Sequence, residues 1–279
     1  MPPVGFGGMP LSIDGRPTED QGVRVIHAAL DAGVRLLDTA DVYCLSDEDL
    51  GHNERLVARA LREWKGPRGE VLVATKGGLT RPQGRWERNG RPDHLQRACD
   101  RSLIALGVDR IDLYQLHAPD PRVPFAESVG MLAELQRAGK IRWIGLSNVS
   151  VDQINAARRH AEVVTVQNRL NPFFREALDE GVVAHTERLG IGFLAYSPVG
   201  GGRLNKKLPN HPVAKRIAAR HKASAHAVVL TWVLEQASNV IIIPGARTVE
   251  HALDSMTAGE LRLEPEELRE LDEAVFDKS

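Results

Sequence analysis

The chain has 279 residues, 36 basic against 37 acidic, and a formal net charge of −1, so bulk electrostatics draw it toward neither nucleic acid nor an anionic membrane. A hydrophobic content of 42% and a charged content of 26% are ordinary for a globular protein, and the length suffices for a sizeable core. Two cysteines, Cys44 and Cys99, make no disulfide framework, the N-terminus lacks the basic and apolar regions of a signal peptide, and no apolar run reaches membrane-spanning length; a cytoplasmic protein is expected.

In chain order, short β-branched or apolar runs at residues 4–8, 34–37, 71–75, 111–116, 141–146, 163–167, 191–196 and 240–243 read as strands. Between them the pattern turns helical, as at 53–64, where Leu56, Val57, Ala60, Leu61 and Trp64 share one face. Residues 224–236 read as an apolar helix before the last strand, and 264–276 as a closing helix with Pro265 in its first turn. Strand then helix, repeated, implies parallel pairing. Eight such units with no linker or low-complexity stretch between them predict a single (β/α)₈ barrel domain over residues 1–279. The alternative, an open doubly wound sheet, would carry G-x-G-x-x-G after its first strand, whereas Gly5, Gly7 and Gly8 are followed by Met9 and Pro10.

Two connections, 77–92 and 198–212, are long for a minimal barrel and rich in Gly, Pro and cations. Both follow strands, so both belong to the C-terminal face, where active sites of this architecture lie. The strand ends are unusually polar: Asp38, Lys76, His117, Asn148, Gln167 and Ser197. Tyr43 follows Asp38 closely enough for its phenol to fold over the same mouth. A free tyrosine, with a pKa of about 10, is a poor acid at neutral pH; a neighbouring ammonium favours the phenolate and lowers that value. Lys76 supplies the cation and Asp38 keeps it charged. Singly, each residue has another use: Asp38 as a turn cap, Lys76 as a solvated cation, Tyr43 and His117 as packing groups. Together they make a proton donor for a carbonyl oxygen.

The runs Leu37-Asp38-Thr39-Ala40-Asp41-Val42-Tyr43, Val73-Ala74-Thr75-Lys76 and Leu113-Tyr114-Gln115-Leu116-His117 resemble the Asp, Tyr, Lys and His motifs of the aldo-keto reductase superfamily. Gly145-Leu146-Ser147-Asn148, Val166-Gln167-Asn168, Tyr196-Ser197-Pro198 and Ile243-Pro244-Gly245-Ala246-Arg247 resemble its nicotinamide-dinucleotide segments, so the resemblance spans essentially the whole chain. It implies reduction of an aldehyde or ketone by hydride transfer from NADPH, giving NADP+, with Tyr43 as proton donor, Asp38 and Lys76 tuning it, and His117 orienting the carbonyl. It further implies a cofactor site made of Gly8, Met9, Asp38, Ser147, Asn148 and Gln167, with Tyr196 stacked on the nicotinamide and Ser197 beside it. Gly201 and Arg203, with Lys206 and Lys207, would meet the pyrophosphate. Gly245, Arg247 and Ser255 would lie on the adenosine side, Arg247 holding the 2′-phosphate. Related sequences tend to carry Gln and Asn where this chain has His251 and Ser255, and many have an N-terminal hairpin where this chain begins almost directly with a strand.

Trp86, among Arg81, Arg85, Arg88 and Arg91, is expected to join Tyr43 and His117 in binding substrate, its ring stacking while the cations attract an acidic group; a solvated lid is the alternative. Asp47, Glu48 and Asp49 lack ligand spacing and no His-Glu-x-x-His occurs, so no metal is expected. The expected partner is a small carbonyl substrate, not nucleic acid or membrane, for a monomer or weak homo-oligomer. A cofactor-binding regulatory or partner-binding barrel with vestigial chemistry is the second function class, and a phosphate-handling isomerase or lyase barrel the third; the third leaves Asn148, Gln167 and Tyr196 unexplained.

Overall fold

In the computed structural model, which describes residues 2–279, eight strands form one sheet in chain order. They are β1 (Phe6–Gly7), β2 (Leu36–Asp38), β3 (Leu72–Gly77), β4 (Ile111–Leu116), β5 (Ile141–Ser147), β6 (Val163–Arg169), β7 (Gly192–Tyr196) and β8 (Val240–Ile242). All neighbours pair in parallel. The sheet closes through a parallel bridge of Val4 to Ile242, with Gly5 N donating to Ile242 O at 2.8 Å and Gly7 N to Pro244 O at 2.9 Å. With helices between successive strands this is the (β/α)₈ barrel. No helix among the described residues is long and apolar enough to cross a membrane.

The element ends follow local chemistry. β1 is shorter than its apolar run because the chain turns at Gly8 into a 3₁₀ turn, Met9–Leu11, and Val4 joins only by its isolated bridge. The helix expected at 53–64 runs His52–Glu63. The one at 224–236 shortens to Ala225–Leu234, Ser224 capping it by accepting from Ala227 N at 2.9 Å. The last is Pro265–Glu273, opened by a capping box between Glu264 and Glu267. Of the two long connections, 77–92 folds into a small antiparallel hairpin, Leu79–Thr80 against Glu87–Arg88, and 198–212 into two helical turns, Gly201–Leu204 and Asn205–Asn210.

Successive strand residues face opposite ways, so each strand serves two cores. The larger lies between sheet and helices, and a smaller one joins Leu36, Ala74, Leu113, Leu194 and Ile243 inside the barrel. Two positions further along β2, β3 and β4 the inward register reaches Asp38, Lys76 and Gln115, and His117 continues the last. Alternation therefore delivers the polar strand ends to one mouth.

Candidate active site

Lys76 is fully buried at the end of β3, and its ammonium has three acceptors: Asp38 Oδ2 at 2.6 Å, Thr39 O at 2.9 Å and Tyr43 OH at 2.9 Å. An ammonium has three N–H donors, so its hydrogen-bonding capacity is filled. Burial acts to strip the proton from Lys76, but the charge of Asp38 and the bonds to Asp38 and Tyr43 outweigh it and hold its pKa above the ordinary lysine value. Asp38 Oδ1 in turn accepts Gln167 Nε2 at 2.7 Å and Gln115 Nε2 at 3.3 Å, from β6 and β4. Gln115 lies across the barrel interior because residue 145 is glycine; a Cβ there would come within 2.8 Å of Gln115 Cγ.

Tyr43 is buried, and burial pushes its pKa up to about 12, with Lys76 opposing and Asp38 reinforcing the rise. The lowering expected from Lys76 is therefore present but outweighed, because the turn after β2 that carries Tyr43 is drier than its neighbours in sequence indicate. The phenol is protonated at neutral pH. Since its oxygen accepts from Lys76, its own O–H is left to donate elsewhere. His117 stands edge-on to Tyr43, ring centroids 5.8 Å apart, with Nδ1 buried and without a partner. Burial, then the charge of Lys76, hold its pKa well below the ordinary value, so the imidazole is neutral. Trp86 completes a three-ring cluster, 6.4 Å from Tyr43 and 6.5 Å from His117.

The residues expected around a nicotinamide form one hydrogen-bonded chain. Ser147 Oγ donates to Gln167 O at 2.8 Å, Asn148 Nδ2 to His117 O at 2.9 Å, and Tyr196 OH to Asn148 Oδ1 at 2.8 Å. Asn148 and Ser197 both have positive φ, 58° and 49°, a region that asparagine tolerates and serine rarely visits. Gly8 donates its N–H to Asp38 O at 2.8 Å, and Met9 packs on the cluster containing Tyr43, so both line the same mouth.

The residues assigned to the rest of a dinucleotide lie further out and are held by backbone. Arg203 donates to Lys278 O, and Lys207 to Asp277 O at 3.1 Å. Arg247, exposed, donates to Pro10 O at 3.1 Å and Asp14 O at 2.6 Å. Gly245 is exposed at the end of β8, Gly201 opens a helical turn, and Ser255 turns its hydroxyl back on its own helix toward His251 O. Sequence reasoning passed over Gln115, although it is a polar residue in the inward register of its strand, two positions beyond the apolar Leu113. It also passed over Asn53, which ties Gly8 O at 2.8 Å and accepts from Thr39 Oγ1 at 2.7 Å.

The arrangement can present a proton to an oxygen atom at the mouth and stabilise the phenolate left behind. The family model for the Aldo/keto reductase family matches residues 3–275. A probable aldo-keto reductase 1 from Glycine max is 34% identical over 301 aligned residues, covering 98% of this chain and 85% of the relative. Among solved structures, a glycerol dehydrogenase from Gluconobacter oxydans has a TM-score of 0.82 at 32% identity, covering 96% of this chain and 90% of that one. An aldo-keto reductase from Klebsiella pneumoniae in complex with NADPH has a TM-score of 0.80 at 27% identity, covering 98% and 90%.

Proposed function

The chain belongs to the aldo/keto reductase family, and from that premise we propose that it reduces an aldehyde or ketone to an alcohol with NADPH, Tyr43 acting as proton donor. The observation that carries the reading is the Lys76 contact: an ammonium anchored by Asp38 donates to the phenol oxygen at 2.9 Å. That contact leaves the phenol proton free for a substrate oxygen and stabilises the phenolate as it forms. Neutral His117 orients the carbonyl without competing as the acid. When bound, NADPH supplies the hydride for the carbonyl carbon.

The chain's own residues fit such a cofactor. Tyr196 offers a half-buried ring at a strand end, beside Asn148 and the Ser147–Gln167 pair. Gly201 and Gly202 leave the backbone approachable, since a Cβ at Gly202 would meet nothing and one at Gly201 only Ser197 at 3.7 Å. Arg203 and Arg247 now donate to neutral carbonyls, bonds weaker than those cations form with phosphate oxygens, which favours exchanging them on binding, whereas Lys207 already lies 3.8 Å from the Asp277 carboxylate. Arg247 is the residue assigned to the 2′-phosphate, and the preference for NADPH over NADH rests on it.

Fluorescence titration with NADPH and NADH, followed in the same cuvette by a panel of aldehydes and ketones, tests the reading. Tight NADPH binding and oxidation on adding a carbonyl compound are expected. Failure to bind either cofactor sinks it.

A further inference from the structure

Among the described residues two cations are buried, Lys76 and Arg81. Lys76 has its carboxylate, whereas Arg81, 6% exposed, has none. Arg81 Nη2 donates to Cys44 O at 3.1 Å and Leu45 O at 3.2 Å, while Nε and Nη1 are buried without an acceptor. None of the acids of the adjoining turn pairs with Arg81: Asp49 pairs with Arg16 at 2.6 Å and Arg55 at 3.6 Å, Asp47 accepts from Gln83 N at 3.4 Å, and Glu48 is exposed. The neighbouring Cys44 thiol is no anion either. Burial pushes its pKa up to about 11 against the pull of Arg81, and it donates to Val42 O at 3.3 Å. A buried guanidinium with unfilled donors is destabilising unless an anion completes it.

Its place gives it a use. The guanidinium carbon lies 3.9 Å from the centre of the Trp86 ring, and that ring stands edge-on to both Tyr43 and His117. Arg81 and the proposed proton donor, Tyr43, thus both neighbour the same Trp86 ring. Trp86 is 47% exposed on the small hairpin, so rotation of its side chain uncovers the guanidinium. The other loop cations are poorer candidates: Arg85 pairs with Glu87 at 3.2 Å and Arg91 with Asp93 at 3.1 Å, all four side chains being largely exposed.

We propose that the substrates are carbonyl compounds bearing a carboxylate roughly one aromatic ring's width from the carbonyl, the anion being received by Arg81 as the Trp86 indole turns aside. This rests on the reductase reading above and adds the substrate class. Arg81 acts as a specificity residue, and its signature is a ratio that a merely structural role leaves untouched.

The test compares kcat/KM for 4-carboxybenzaldehyde with that for its uncharged methyl ester. The wild-type chain is expected to prefer the acid by roughly 10- to 100-fold, the scale of a hydrogen bond to a charged group. Arg81→Met brings the ratio to about one, and Arg81→Lys, the substitute should the methionine variant fail to fold, gives an intermediate ratio. A wild-type ratio near one, or a ratio that the Arg81 variants leave unchanged, overturns the proposal. Turnover of neither aldehyde counts against the reductase reading instead. In that case thermal stabilisation by 4-(hydroxymethyl)benzoate still decides on Arg81: it is expected in the wild type and lost in the variant, and equal shifts overturn the site.

Discussion

At the ends of β2, β3 and β4 the side chains proposed for the chemistry are strand residues or lie within a short turn of one, and Asp38, Tyr43, Lys76 and His117 are all buried. Beyond the ends of β7 and β8 the residues proposed for the cofactor are looser: Tyr196, the last residue of β7, is half-buried, and Arg203 and Arg247, on the turn and loop that follow, are exposed and bonded to distant backbone carbonyls. The first half is organised before any ligand arrives, since its charges already face their partners in a dry setting. In the second half Arg203 and Arg247 hold neutral carbonyls, bonds weaker than those to phosphate oxygens, so the proposed cofactor would bind with local exchange of partners. On that proposal one half has a fixed geometry and the other exchanges partners to admit a large anion.

The sharpest way to break this division is Tyr43→Phe, which deletes one hydroxyl from the organised half. Turnover is expected to fall by roughly 10²–10⁴-fold while NADPH affinity stays as in the wild type. A matching loss of cofactor affinity would show that the halves are not separable. Next, Lys76→Met leaves Asp38 buried without its counter-charge and is expected to lower unfolding free energy by about 3–5 kcal/mol in denaturant titration. Equal stability of variant and wild type would contradict the role of that pair.

On the other half, Arg247→Ala is expected to weaken NADPH roughly 10- to 100-fold and leave NADH unchanged. Equal weakening of both would mean that the arginine serves only to tie the Pro10 and Asp14 carbonyls. The smallest effect is in pH. His117 has a folded pKa well below its unfolded value of about 6.5, so the unfolded chain takes up a proton that the native chain refuses. Its contribution to stability is complete above about pH 6.5 and is lost as pH falls, at up to about 1.4 kcal/mol per pH unit. His117→Gln should flatten the fall in thermal midpoint between neutral and mildly acidic buffer; an unaltered slope would remove His117 as its source.

Much of the organised half was legible in the sequence because strand alternation is a local rule. Once eight strand runs are recognised, Asp38, Lys76 and His117 fall at the ends facing the mouth. What the rule did not reveal is depth: burial reverses the expected direction of the Tyr43 shift, and no short motif encodes how dry a phenol will be. Gln115 stood in a quoted motif, yet its bond to Asp38 depends on a glycine thirty residues away at 145. The looser half was legible in residue type and not in placement. Arg247 meets carbonyls 237 and 233 positions earlier in the chain, and Arg81 is buried where its hairpin folds back over Cys44 and Leu45 and its guanidinium stacks on Trp86. Such contacts arise from the closure of the barrel and the packing of its loops, which a single sequence does not specify locally.

Asp38 receives amides from Gln115 on β4 and Gln167 on β6 while its other oxygen holds Lys76 on β3. The carboxylate is therefore the hub of a wheel, with spokes to three other strands and its own strand as the fourth. A wheel of this kind couples the roundness of the frame to the charge at its centre: shortening one spoke displaces the hub, and altering the hub slackens every spoke. A substitution at position 38, 76, 115 or 167 is therefore felt on all four strands, whereas the hairpin at 79–88 and the turns at 201–210 lie outside the wheel and have no spoke to its hub.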